Sequence, residues 1–314
     1  MIDWRKIFFN RNNYRDFIDN NYLIHKILKE YNIKKFCDEY IYISFEYEIP
    51  KDLDKKYDYF IVGSDQIWSP NFVDYKNEFL QFAEKDKRIA YAASFGVCEL
   101  EPKIEKIIKS GLKEMKYISV REDEGAIIVK RMIGENVNVV LDPTMLLPID
   151  VWNSIAKKPV WYDGSKFVLC FFLSYLPDKL KSNINEFAIK NNLKIIDLMD
   201  ITNVNYYCST PQEFLYLIKH ATAIYTDSFH GTVFSILWEK TFITCLKEYT
   251  DNDVNSRIFT LLKKFKLENR IVSKDNNYEI ANPMEIEFPD VEAILERERQ
   301  RSKEFLCKAL NIKG

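Results

Sequence analysis

The chain has 314 residues, 47% of them hydrophobic and 15% aromatic, and carries a formal net charge of −2. That length and apolar content support two domains of ordinary size, each with a substantial core. The near-neutral charge, with no basic stripe interleaved with aromatics, excludes nucleic acid as the expected partner.

Read from its start, Met1-Ile2-Asp3-Trp4-Arg5-Lys6 holds no signal-peptide core. Residues 1–56 read as helices and loops without a convincing parallel strand. From there strand-like and helical runs alternate. Tyr59–Val62, Arg88–Ala93, Tyr117–Val120 and Val137–Leu141 read as strands, with a helix over Glu105–Met115. Pro148 and the stretch Lys157–Lys166, which holds Pro159 and Gly164, make the best linker. Strands follow at Phe167–Leu173, Leu193–Leu198, Ala223–Thr226 and Phe242–Cys245, and helices at Asp178–Lys190, Pro211–His220 and Val233–Glu239. A long charged helix over Val291–Leu310 closes the chain. Such alternation predicts an α/β fold with two parallel sheets covered by helices and a cleft between them. The longest apolar run, Phe167–Leu173, is far too short to span a bilayer.

The six cysteines, Cys37, Cys98, Cys170, Cys208, Cys245 and Cys307, show no paired or metal-ligand spacing. They read as small hydrophobes in a reducing cytoplasm, and neither metal nor cofactor is expected.

Strand ends are where an α/β sheet collects ligands, so residues there rank first. His230, in Thr226-Asp227-Ser228-Phe229-His230-Gly231-Thr232, follows a buried strand and precedes a helical run. It can bind an anion, move a proton near neutral pH, or simply pack in a tight turn. Arg121 directly follows Tyr117–Val120 and reads as an anion clamp or as a salt-bridge partner of Glu122 or Asp123. In Gly63-Ser64-Asp65-Gln66, Gly63 permits close backbone approach, and Ser64 and Gln66 can bond a sugar or phosphate. Asp65 can activate an acceptor hydroxyl or cap a helix. Ser94 and Gly96 end another strand and would line the cleft. Arg257, beside Ser256 at a helix start, is a secondary phosphate ligand or a surface ion pair. Asp142 before Pro143 reads first as a cap or kink at the strand exit, and Asp227 as holding its loop ahead of orienting His230; His25 and His220 read as structural or exposed.

Five blocks carry a family resemblance: YDYFIVGSDQIWSP (residues 57–70), RIAYAASFG (88–96), ISVREDEG (118–125), VLDPTMLL (140–147) and TDSFHGTVFSILWEK (226–240). In order and spacing the chain resembles the polysaccharide pyruvyl transferase family from about residue 57 to about residue 272. The resemblance implies a GT-B-like architecture of two Rossmann-like domains, 1–150 and 151–290, with residues 291–314 forming a helix that crosses back to the first. It implies transfer of a pyruvyl group from phosphoenolpyruvate to a sugar of a cell-surface polysaccharide or its precursor, giving a ketal. The acceptor would be lipid-linked, nucleotide-linked or polymeric, met in the cytoplasm or by peripheral association at the inner face of the membrane. His230 and Asp65 would be catalytic; Arg121, Ser228, Gly231 and Arg257 would bind the donor; Gly63, Ser64, Gln66 and Ser94 would line the acceptor side.

Two departures stand out. Family members commonly open with a strand and an Asn/Gly-rich turn, which this chain does not show; either the sequence is short at its N-terminus or the first domain has lost that strand and anion-binding turn and would be incomplete. Much of the family reads Arg-Leu-His-Gly where this chain has Ser228-Phe229-His230-Gly231, a hydroxyl in place of a fixed cation. Two other function classes therefore stay open: glycosyl transfer from a nucleotide sugar, and a non-catalytic sugar-binding relative.

Overall fold

The computed structural model describes residues 20–42, 49, 52–70, 75–248, 254–279 and 283–312. Two sheets organise them, and every strand pairing in both is parallel. The first has four strands in the order β1-β2-β3-β4: Phe60–Val62, Arg88–Ala93, Tyr117–Val120 and Asn138–Val139. The second has five in the order β6-β5-β7-β8-β9: β5 is Phe167–Phe171, β6 Lys194–Asp197, β7 Ala223–Thr226, β8 Phe242–Cys245 and β9 Ile271–Val272. β2, β7 and β8 are buried at every position, which is why they read as unbroken apolar runs.

The longer helices are α1 (Asn20–Tyr40), α2 (Pro102–Lys113), α3 (Asp123–Ile133), α4 (Asp178–Lys190), α5 (Pro211–His220), α6 (Phe229–Leu237), α7 (Ser256–Lys264) and α8 (Val291–Ala309). Their limits follow from local chemistry. Thr210 and Glu213 form a reciprocal capping box with Pro211 at the first turn of α5. Gly134, at φ 79°, ends α3 in the left-handed region. α6 begins four residues before the helical run read from sequence, because the Ser228 hydroxyl accepts from Gly231 N and starts the helix there. His230 thus lies inside the first helical turn and not ahead of it. β9, only two residues long, is too short to give a sequence pattern.

One face of the first sheet packs against α2 and α3 through Ile108, Leu112, Ile128, Val129 and Met132. Its other face is closed by α8, whose Phe305 and Ala309 meet Ile89, Tyr91 and Ala92. The second sheet is covered on both faces, by Ile218, Val233, Leu261 and Leu262 on one and Leu180, Ile184 and Ala188 on the other. α1 comes early in the chain yet lies on the second half: His25 Nδ1 is 2.7 Å from Ile201 O, and Asn32 Nδ2 donates to Cys208 O at 2.7 Å. The reading of the first domain as lacking the family's opening strand and turn bears on residues 1–19, which lie outside the described residues. No helix among the described residues is long and apolar enough to cross a membrane.

Candidate functional site

The carboxyl ends of the parallel strands deliver several of the buried charged residues to one place. β1 leads into Gly63-Ser64-Asp65, β2 into Ser94, β3 into Arg121-Glu122 and β4 into Asp142. On the second sheet β7 leads into Asp227-Ser228 and α6, and β8 into Leu246-Lys247. Across the junction Asp123 N donates to Thr260 Oγ1 of α7 at 3.0 Å.

Asp142 is the centre of the network and is 3% exposed. Its Oδ1 accepts from Thr144 N at 3.0 Å and Thr144 Oγ1 at 2.6 Å. Its Oδ2 accepts from Arg121 Nη1 at 2.7 Å and Ser64 Oγ at 2.9 Å, and lies 3.8 Å from His230 Nε2. Burial alone would push this carboxyl up, but His230, Arg121 and Thr144 together hold it far below the usual carboxylate range. Asp142 is itself clamped by the end of the chain. Leu141 N donates to Ser302 Oγ at 3.1 Å, and Leu141 O accepts from the Tyr91 hydroxyl at 2.9 Å. Arg299 donates to Met145 O at 2.9 Å and Leu147 O at 3.0 Å, fixing the far side of the same loop.

Arg121 faces inward and is 4% exposed; beside the Asp142 bond, its Nη2 donates to Asp65 Oδ1 at 3.1 Å. Its guanidinium lies 4.1 Å from the centroid of the Phe229 ring. The second half sends Arg257, from the first turn of α7, to the same Asp65 oxygen at 3.4 Å. Burial, and then the neighbouring Arg121 charge, pull Arg257 down to about 10, still a cation at neutral pH. Asp65 is the open member of this trio, its side chain 67% exposed. Removal from water works against its ionisation, but the Arg121, His230 and Arg257 charges outweigh that and hold it below its ordinary value.

Behind this trio lies Glu122, fully buried, whose Oε1 accepts from Phe95 N at 2.9 Å. Burial pushes its carboxyl up against the pull of Arg121. Among the described residues, Arg121 Nε, Ser256 Oγ and Arg257 Nε are all buried with no hydrogen-bond partner. Unsatisfied buried polar atoms are rare in native proteins, so these have room for water or a ligand as partner. Lys247 adds a cation 3.8 Å from Asp227 Oδ2; burial lowers it, with Asp227 opposing.

Of the residues expected from sequence, His230, Asp65, Arg121, Arg257 and Ser64 come together in this network. The others hold it up. Ser228 caps α6, and a Cβ on Gly231 would stand 2.6 Å from Thr226 Oγ1. Gly63, at φ 120°, passes where any Cβ would strike Tyr91 O, and Gln66 lies against Gly96. Ser94 sits in the interior below them, 0% exposed. Arg121 pairs with Asp142 and Asp65 and not with Glu122 or Asp123. Asp227 serves the loop after β5, accepting from Leu173 N at 2.6 Å and from Ser174 N at 2.9 Å. His220 stacks on Tyr216 at 3.8 Å, on the exposed side of α5.

Asp142, Glu122, Lys247 and Phe229 were not singled out as site residues from sequence. The strand-end criterion that found Arg121 would also have found Asp142 and Lys247. Phe229 and Glu122 carry no such signal, because an apolar ring and a lone acid are ordinary in their positions.

A family model described as polysaccharide pyruvyl transferase matches residues 2–246. The match opens well ahead of residue 57 and closes before residue 272, so it includes all five sequence blocks but leaves Arg257 outside it. No curated protein matches the chain.

Proposed function

The chain belongs to the polysaccharide pyruvyl transferase family, and from that premise we propose that it moves a pyruvyl group from phosphoenolpyruvate to a sugar of a cell-surface polysaccharide or its precursor. The observation that supports this most is the meeting of Arg121, Arg257 and a part-exposed His230 around two carboxylates at the strand ends. Phosphoenolpyruvate is small and strongly anionic, and guanidinium groups suit both its carboxylate and its phosphate.

The reaction needs a proton on the methylene carbon, which leaves the central carbon cationic. A sugar hydroxyl attacks that carbon and loses its proton to a base. Phosphate then leaves, and a second hydroxyl closes the ketal. His230, 37% exposed on its side chain and backed by Asp142, is the group we assign to proton transfer at the donor. Asp65, facing solvent, is the base we assign to the acceptor hydroxyl. Arg257 and Arg121 take the donor's anionic groups, and Ser64 stays with Asp142 to hold the carboxylate that orients His230. No bound metal or further cofactor enters this scheme. We place the acceptor on a lipid-linked, nucleotide-linked or polymeric saccharide in the cytoplasm or at the inner face of the membrane. The two-domain division, 1–150 and 151–290 with a returning helix, is the framework of this reading.

Ser228, in place of the arginine common in the family, favours a second reading: glycosyl transfer from a nucleotide sugar. The test incubates the protein with phosphoenolpyruvate and saccharide acceptors, following phosphate release and the methyl signal of the ketal by NMR. Acceptor-dependent ketal formation supports the first reading. Turnover of a nucleotide sugar and not of phosphoenolpyruvate supports the second, and turnover of neither leaves a sugar-binding relative.

A further inference from the structure

Among the described residues, Arg257 has one carboxylate within ion-pair range, Asp65 at 3.4 Å. Arg121 Nη2 reaches the same oxygen at 3.1 Å, so one carboxylate oxygen joins a guanidinium from each half of the molecule. Two neighbouring carboxylates already have cations of their own: Asp142 pairs with Arg121 Nη1, and Asp227 with Lys247. An anion arriving beside Arg257 would therefore meet a neutralised cation and a facing carboxylate. Like charges so close cost more than the new contact returns, unless the carboxylate leaves.

Asp65 is built to leave. Its backbone is held, since Asp65 O accepts from Ser94 N at 3.0 Å, while its side chain is 67% exposed. Rotation about its own side-chain bonds carries the carboxylate into water without moving a strand. The arginines cannot follow, because their side chains are 2% and 9% exposed. Each also keeps a buried Nε without a partner among the described residues, so the pair holds unused donor capacity.

We infer that Asp65 is the resting occupant of an anion site formed by Arg121 and Arg257, and that a phosphate-bearing ligand binds there by displacing it. The site joins both halves, so the exchange replaces an internal bridge between them with one made through the ligand. It also frees the Asp65 carboxylate at the moment the donor is in place. This rests on the proposed function only for the identity of the ligand as phosphoenolpyruvate; the exchange itself is a matter of phosphate chemistry.

The sign of one effect tests it. Inorganic phosphate is titrated calorimetrically into the wild type, Asp65→Asn, Asp65→Ala and Arg257→Ala, with folding of each checked by circular dichroism. Removing the competing carboxylate should tighten phosphate binding by about tenfold in both Asp65 variants, and Arg257→Ala should abolish it. If Asp65 instead serves to position the arginines, its removal weakens binding or leaves it unchanged, and the inference fails. It fails also if phosphate binds none of the folded proteins. The outcome is separable from the proposed reaction. Tighter phosphate binding in Asp65→Asn without ketal formation by the wild type overturns the reaction alone. Ketal formation by the wild type with unchanged phosphate affinity in Asp65→Asn overturns the exchange alone.

Discussion

The two halves of the molecule bring their strand ends to the same place but use them differently. In the first, Ser64, Arg121 and Asp142 bond one another and are held from behind by Tyr91, Arg299 and Ser302. In the second, Ser228, Gly231 and Asp227 serve the local backbone, and His230 and Arg257 reach across. One half supplies a fixed electrostatic frame and the other supplies the groups that face it. Buried polar networks of the first kind are costly to break, whereas a part-exposed group such as His230 can be changed with the fold intact.

That difference can be attacked from either side. The largest effect should come from His230→Ala. It removes the group assigned to proton transfer and should lower turnover by about 100-fold to 10,000-fold, with an unchanged circular dichroism spectrum and thermal midpoint. Arg121→Ala should act the opposite way. It leaves Asp142 charged and buried without its guanidinium, and should cost about 3 to 5 kcal/mol of stability in urea denaturation. A small loss there would show that the first half is no rigid frame. Arg299→Ala strips a donor from the carbonyls of Met145 and Leu147 and should cost about 2 kcal/mol. Turnover should fall with it, since the Asp142 loop loses its far anchor. Ser228→Ala, which removes only the cap of α6, should cost about 1 kcal/mol.

A pH-dependent prediction separates the frame from its surroundings. Burial raises Glu122 in the folded chain. Its contribution is therefore fully present below the unfolded carboxylate value and is lost as pH rises through the raised one. Over that window wild-type stability should fall with pH relative to Glu122→Gln. Parallel stability curves for the two proteins would mean that Glu122 ionises normally.

Much of this was legible in the sequence, and the reason is periodicity. Fully buried strands such as Arg88–Ala93 and Phe242–Cys245 stand out as apolar runs, and the residues that follow them name the cleft. The two-residue β9 was invisible because it is shorter than any pattern. The start of α6 was misplaced because Ser228-Phe229-His230-Gly231 looks like a turn until the serine is seen to cap it. The site was half visible. Arg121, Asp65 and Arg257 could be chosen by position, but their mutual pairing could not, since it joins residues 56 to 192 positions apart in sequence. Asp142 reads from sequence as a cap, and its first oxygen does cap the short helix over Pro143–Leu146 by accepting from Thr144 N. Its second oxygen, which meets Arg121, Ser64 and His230, depends on the tertiary fold alone.

The most direct measurement is calorimetric titration of phosphoenolpyruvate into the wild type beside Arg257→Ala and His230→Ala. The account predicts saturable binding to the wild type, lost in Arg257→Ala and retained in His230→Ala with turnover gone. No binding to well-folded wild type, or binding that survives in Arg257→Ala, would contradict a donor site between the two halves.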